Sequence, residues 1–303
     1  MSASSPNSEH SMVFLSGGDF AMGSVDGYPE EAPVRTVSVA PFLLDSTPVT
    51  NAQFAAFVDA TGYVTFAERA PNPSDYPGIS DDLRAPGSIV FVSPQSGSGP
   101  LSAELWWRYV LGANWRQPYG AETGVQSKPT HPVVHVVLED CLAYAAWCGK
   151  RLPTEPELEF AAQGGRPAAK YAWGPHLLPD GGQRANFWRT GFPYSHPERS
   201  GPPYTTPVTA YPENDFGLYD LIGNVWEWTT TDADDTNATP RCCAPERQRP
   251  HAMKVLKGGS HLCAPNWCRR YRPAARWFQP TDTSTSHVGF RCARDAPISK
   301  KCA

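Results

Sequence analysis

The sequence predicts a single α+β domain with few helices, short strands and much irregular structure. Three observations lead there. Glycine and proline are abundant, at 25 and 32 of 303 residues; glycine supplies positive φ, and proline fixes φ and lacks a donor, so long regular elements are repeatedly interrupted. Only three segments combine helical periodicity with start and stop signals. No stretch repeats with a fixed period or has the composition of a linker between separate units. The domain is placed at residues 12–295, with a flexible polar tail at 1–11 and a second tail at 296–303.

The elements follow in chain order. Met12-Val13-Phe14-Leu15 reads as a strand that runs into Gly17-Gly18, and Phe20-Ala21-Met22 as its successor. Arg35 to Val39 alternates polar and apolar residues, as a half-buried strand does. Thr50 or Asn51 caps a first helix, with Phe54, Phe57 and Val58 on one face and Gly62 at its end. Residues 70–100 are rich in Pro, Ser, Gly and Asp and read as a long surface excursion. A second helix is expected from Glu139 to Cys148, stopped by Gly149. In the third, Thr154 and Glu157 have capping-box spacing and Pro156 lies in the first turn. Leu158, Ala161 and Ala162 form its apolar stripe, and Gly164-Gly165 stop it. Beyond Gly165 only short apolar pieces between turns remain.

Composition removes several classes of function. A hydrophobic fraction of 40% with 12% aromatic residues is enough for a sizeable core. The net charge of -4 leaves no basic surplus for phosphates, which excludes a nucleic-acid partner. No apolar run approaches the roughly 20 residues of a membrane helix. Met1 to Ser11 lacks a hydrophobic signal core, so the expected location is the cytoplasm. Nothing resembles a coiled coil or a strand-exchange signal, and a monomer is expected. A reducing compartment would leave most of the eight cysteines as thiols.

The densest chemistry lies in Lys257-Gly258-Gly259-Ser260-His261-Leu262-Cys263-Ala264-Pro265-Asn266-Trp267-Cys268-Arg269-Arg270-Tyr271-Arg272. Two cysteines stand five apart beside three arginines, whose charge favours thiolate over thiol. Two thiolates with no further obvious ligands suit a soft, low-coordinate ion such as Cu(I), whereas structural zinc wants four ligands. From spacing alone, a disulfide or two plain buried cysteines remain open.

The neighbouring blocks add to this. Arg151-Leu152-Pro153-Thr154-Glu155-Pro156-Glu157 precedes Tyr171-Ala172-Trp173-Gly174 and Ala185-Asn186-Phe187-Trp188. Then come Phe216-Gly217-Leu218-Tyr219-Asp220, Gly223-Asn224-Val225-Trp226-Glu227-Trp228, the cysteine pair, Arg272-Pro273-Ala274-Ala275-Arg276 and Gly289-Phe290-Arg291-Cys292. In this order and spacing, from about Met12 to Asp295, the chain resembles the formylglycine-generating enzyme, or sulfatase-modifying factor, family. The resemblance implies a domain of the formylglycine-generating-enzyme/C-type-lectin-like type. It implies an oxidase that converts the cysteine of a Cys-x-Pro-x-Arg segment in a client sulfatase to Cα-formylglycine, with O2 as co-substrate and a reductant. Cys263 and Cys268 would hold Cu(I). Ser260, Trp226 and Arg276 fall on positions near the family's pocket. Asp220, Gly223, Val225 and Glu227 match a family Ca2+ site, with two carboxylates and two carbonyls suited to a hard cation. A second Ca2+ site keeps Asn186 and Phe187 but has Ser200 where an aspartate is expected.

The chain departs from the family at Trp267, where tyrosine is usual, and at His287, where asparagine is usual. Both changes touch the pocket. Glu68 is a candidate to meet the client arginine. The other cysteines, Cys141, Cys148, Cys242, Cys243, Cys292 and Cys302, are given no role. The rival reading is a non-catalytic binding module on the same fold.

Overall fold

The computed structural model describes residues 12–94, 106–121, 123–166, 170–194, 204–233 and 252–297. Expectations for both tails and for Ser200, Cys242, Cys243 and Cys302 fall outside the described residues. Among the described residues, no helix is long and apolar enough to cross a membrane.

Four small sheets replace a single large one. Strands β1 (Met12–Leu15), β4 (Phe42–Asp45) and β11 (Ala293–Asp295) form an antiparallel sheet that brings the two ends of the domain together. β2 (Gly18–Met22) pairs with β3 (Arg35–Val39) as a ribbon. A second ribbon joins β5 (Gly87–Phe91) to β6 (Trp107–Leu111). The fourth sheet has the order β10 (Val288–Gly289), β7 (Trp226–Asp232), β8 (Met253–Lys257), β9 (Arg276–Pro280), with β10 parallel to β7 and the rest antiparallel. This sheet carries the site.

The helices form where the capping chemistry places them. α1 (Asn51–Thr61) starts at Thr50, whose hydroxyl accepts the Gln53 N–H while the Gln53 amide oxygen accepts the Thr50 N–H at 2.6 Å. It ends at Gly62, with φ of 67°. α2 spans Leu138–Trp147, and Cys148 caps it rather than extending it. α3 (Glu155–Gln163) begins at Thr154 in a capping box with Glu157 and ends at Gly164 in the left-handed region. α1 meets α2 through Phe54 and Phe57 against Tyr144, with ring centroids 5.9 and 5.6 Å apart. The stretch read as a surface excursion is a correction in part. Gly87–Phe91 is a strand with four buried residues, because Ile89-Val90-Phe91 packs well on a pleated surface once β6 pairs with it.

With so little regular structure, buried charges fix the segments to one another. The Arg291 guanidinium is fully buried and grips both Glu227 oxygens, at 2.7 and 2.8 Å, while donating to the carbonyls of Asp45 and Tyr219. On α3, Glu155 takes Arg276 at 2.8 Å and Glu159 takes Lys257 Nζ at 2.7 Å. Removing one partner of such a pair leaves a buried charge uncompensated, which costs about 3–5 kcal/mol. Arg291→Met should therefore lower the unfolding free energy by about that amount. Arg291→Met combined with Glu227→Met should lose distinctly less, and urea denaturation of the two variants checks both.

Candidate active site at Cys263 and Cys268

The site loop leaves β8 through a turn that only glycine can make. Gly258 and Gly259 have φ of 95° and 73°. A Cβ on them would meet the Leu221 carbonyl oxygen at 2.9 Å and the Arg270 carbonyl oxygen at 2.2 Å. The loop then closes on itself. The Cys263 N–H donates to the Ser260 carbonyl at 3.0 Å, Ala264 N–H to the Cys268 carbonyl at 2.9 Å, and Trp267 N–H to the Ala264 carbonyl at 3.1 Å. These bonds bring the two Sγ atoms to 3.2 Å. The Trp188 N–H holds the Cys263 carbonyl at 2.9 Å, and the Asn266 amide donates to the Phe192 carbonyl at 2.9 Å.

The two sulfurs are electrostatically unequal. Burial pushes the Cys263 thiol well above the usual thiol range. Cys268 is pulled down to about 7, first by the hydrogen bond from Cys263 and then, against the opposing effect of burial, by the Arg270 charge. Arg270 Nη1 lies 3.8 Å from the Cys268 sulfur. Its other nitrogens grip Glu30 at 2.6 and 3.1 Å, and its plane lies 3.8 Å from the Tyr28 ring and 4.7 Å from Trp277. Of the two, Cys268 is therefore the thiol that gives up its proton more readily. Of the three arginines that follow the pair, Arg270 reaches the sulfur, Arg272 pairs with Glu31, and the Arg269 N–H donates to the Tyr28 hydroxyl at 3.1 Å.

The pair sits between two apolar clusters. Cys263, Cys268 and Trp226 pack with the main core, while Leu262 and Ala264 pack with Phe91, Trp106, Trp188 and Phe192. Trp267 is 43% exposed and leans on Trp106 at 4.8 Å and Phe192 at 6.2 Å, forming an aromatic wall at the surface. Ser260 is fully buried; its N–H points at Cys263 Sγ at 3.5 Å and its hydroxyl accepts the Leu262 N–H at 3.2 Å. His287 packs at a tilt of 36° against Trp107, with ring centroids 4.8 Å apart, and bonds Thr285 through Nδ1 at 2.8 Å. Burial, reinforced by His261 and His135, pushes it down to about 3, so it is a neutral imidazole. Arg276 is held by Glu155 and by the Glu30 carbonyl, which places it behind Glu30 as a buttress. Glu68 accepts both the N–H and the hydroxyl of Thr65, with Arg116 3.8 Å away. Beside Trp107 opens a cavity of about 360 Å³, lined by Phe66, Tyr76, Tyr109 and Asp282.

The second constellation lies across β7. Asp220 is buried with no partner in good hydrogen-bond geometry to either carboxylate oxygen, and burial pushes it up to about 7 against the opposing pull of the Arg291 charge and the Asn224 amide. It lines a polar cavity of about 270 Å³. Gly223 and Val225 stand on the same turn, whereas the Glu227 carboxylate is committed to Arg291. Asn186 donates to Asn224 Oδ1 and to the Tyr204 carbonyl, both at 3.2 Å, and the adjacent Phe187 ring stacks on Tyr271.

A sheltered dithiol with an arginine behind it and an aromatic wall beside it makes a candidate thiol-based active site on a largely irregular α+β scaffold. The family model of the sulfatase-modifying factor enzyme 1-like domain matches residues 1–296, and the chain belongs to that family. It is 50% identical over 298 residues to a formylglycine-generating enzyme of Mycobacterium tuberculosis, covering 95% of this chain and 98% of that one. A formylglycine-generating enzyme of Streptomyces coelicolor is 44% identical over 306 residues, covering 99% and 94%. Among solved structures, PvdO from Pseudomonas aeruginosa superposes with a TM-score of 0.60 at 23% identity, covering 94% of each chain, which shows a shared fold.

The sequence marked the cysteines but not what polarises them. Tyr28, Glu30 and Glu31 stand about 240 residues upstream, and two adjacent acids before a proline carry no signal of their distant partners. Trp106 and Phe192 were equally silent. In the metal-free protein, alkylation of one thiol by iodoacetamide should rise through about pH 7. Arg270→Met should move that midpoint upward by about one unit or more, since the neighbouring positive charge is lost; mass-resolved alkylation against pH checks both.

Proposed function

We propose that this chain is a formylglycine-generating oxidase. It converts the cysteine of a Cys-x-Pro-x-Arg segment in a client sulfatase to Cα-formylglycine, with O2, a reductant and Cu(I) held by Cys263 and Cys268. The observation that carries the reading is the pair of sulfurs 3.2 Å apart, one of them polarised by Arg270, in a chain of this family. The donor set fits the metal. Two soft sulfurs face one another, and among the described residues no third His, Cys, Asp or Glu joins them in a group of three or more. Bound there, Cu(I) would supply the activation of O2.

The chain's own residues do the rest. Arg270 balances the negative charge that thiolates bring into a buried site, and Glu30 keeps the guanidinium from turning away. Ser260 holds Cys263 through its backbone N–H. Trp226, in the same apolar core as both cysteines, and the Trp267–Trp106 pair beside the loop keep bulk water from the reacting sulfur. His287, neutral and bonded to Thr285, adds no charge to the pocket. For the client arginine, Asp282, which accepts the Tyr76 hydroxyl, lines the cavity beside Trp107, while Glu68 accepts the Thr65 hydroxyl and is faced by Arg116.

Ca2+ is the cation we assign to Asp220, on the strength of two buried oxygens with no partner in good hydrogen-bond geometry. Asn186 and Phe187 would take part in a second site only if residues beyond the described ones supply its carboxylate.

Mass spectrometry of a Cys-x-Pro-x-Arg peptide incubated with protein, Cu(I), O2 and a thiol reductant tests the oxidase. Aldehyde is expected with the native chain and none with Cys263→Ser, Cys268→Ser. An unmodified peptide, together with no copper bound at one per chain, would leave a binding module of this fold. The calcium assignment has its own readout. A carboxyl whose folded pKa is raised favours folding below the unfolded value near 4 and loses that contribution as pH climbs toward about 7. Without Ca2+, Asp220 therefore weakens the fold between those values, and millimolar Ca2+ should restore the melting temperature at pH 7. Asp220→Asn should melt at the same temperature with and without Ca2+.

A further inference from the structure

His135 has no part in the chemistry at Cys263 and Cys268, yet the fold holds it in an uncommon state. Its backbone stands at φ of 61°, in the left-handed region, and its side chain is fully buried. The backbone N–H donates to the Thr285 carbonyl at 3.0 Å. The imidazole meets the Pro118 carbonyl through Nε2 and the Ser88 hydroxyl of β5 through Nδ1, both at 2.6 Å.

These partners assign the protons. A carbonyl only accepts, so Nε2 carries the hydrogen. Burial pushes the imidazole down to about 4, so at neutral pH it has no second hydrogen. Nδ1 is therefore a bare acceptor. The Ser88 oxygen also lies 2.9 Å from the Ser284 carbonyl. Were its proton turned there, Nδ1 and the Ser88 oxygen would face each other at 2.6 Å with no hydrogen between them. The proton thus goes to His135, and the Ile89 N–H serves the Ser284 carbonyl at 3.3 Å. The Ser88 oxygen is left to accept from the Ser284 hydroxyl, 2.7 Å away.

Both serines line the cavity beside Trp107. Other protons there point elsewhere: the Tyr109 hydroxyl donates to the Ala85 carbonyl at 2.9 Å, the Tyr76 hydroxyl to Asp282, and Arg69 to Glu139 at 2.7 Å. We propose that His135 is a positioning residue for client recognition: by taking the Ser88 proton it fixes Ser88 and Ser284 as hydrogen-bond acceptors for the N–H groups of the client arginine. The inference rests on the reading of this cavity as the place of that arginine. A guanidinium has five donors and no acceptor, so a cavity of fixed acceptors matches it. Without His135 the two hydroxyls rotate, and either proton can turn toward the guanidinium and oppose it.

The test reads binding without turnover. Metal-free protein, kept reduced, is titrated calorimetrically with a Ser-x-Pro-x-Arg peptide and with its norleucine counterpart. The native chain should favour the arginine peptide. His135→Gly, which tolerates the backbone angle, should weaken the arginine peptide by about tenfold, the worth of a hydrogen bond to a charged group, and leave the norleucine peptide unchanged. His135→Asn also tolerates the angle and places an acceptor near the position of Nδ1, so it should keep most of the preference. Equal weakening of both peptides by His135→Gly, or an unchanged preference, would overturn the inference. A native chain that does not distinguish the peptides would overturn it together with the cavity reading. A failed aldehyde assay beside an arginine preference that depends on His135 would strike the oxidase reading and support this one. The native protein gives a check that needs no variant: a long-range 1H–15N spectrum at pH 7 should place the His135 hydrogen on Nε2, and a hydrogen on Nδ1 would overturn the inference.

Discussion

The ion pair between Glu30 and Arg270 is the contact on which the candidate site depends. It joins the segment after β2 to the segment after the site loop, across 240 residues of chain. The same guanidinium that Glu30 grips presents its remaining edge to the Cys268 sulfur. Planarity makes this possible: one face of the guanidinium is covered by Tyr28, its fork is filled by the carboxylate, and one N–H remains for sulfur. A lysine could supply the charge but not three fixed directions. Electrostatics and loop position are thus set by one residue.

The pattern extends beyond the site. β7, β8 and β9 are short, and a sheet of that size does not by itself fix the loops that leave it. Lys257 at the end of β8, Arg276 at the start of β9 and Glu227 on β7 each point a charge inward to a partner on another element. Buried pairs of this kind add little net stability, because desolvation offsets attraction. Their effect is to exclude alternatives, since any other register would bury a bare charge. A chain built mostly from turns reaches one arrangement in this way, and the loop that carries Cys263 and Cys268 inherits its precision.

Local features of the fold were legible in the sequence, and distant ones were not. Thr50, Thr154, Gly62 and Gly164 act within one helical turn, so the ends of α1 and α3 are written where they occur. The strand Gly87–Phe91 was lost among prolines and serines, because its partner strand begins only at Trp107. The acids of α3 carry no local sign of burial, yet Glu155, Glu157 and Glu159 are buried. Their cations come from Lys257, Arg276 and Arg151, and only Arg151 lies nearby in sequence. The family resemblance pointed to Cys263 and Cys268, and their spacing is consistent with the contact found.

Environment, rather than residue type, decides what a dithiol can do. Cys263 and Cys268 belong to one short loop whose glycine turn is locked against Leu221 and Arg270, and the aromatic wall ends in the exposed Trp267. The Arg270 guanidinium stabilises negative charge at the Cys268 sulfur, and the exposed end of the wall is the side from which the proposed client thiol would reach it.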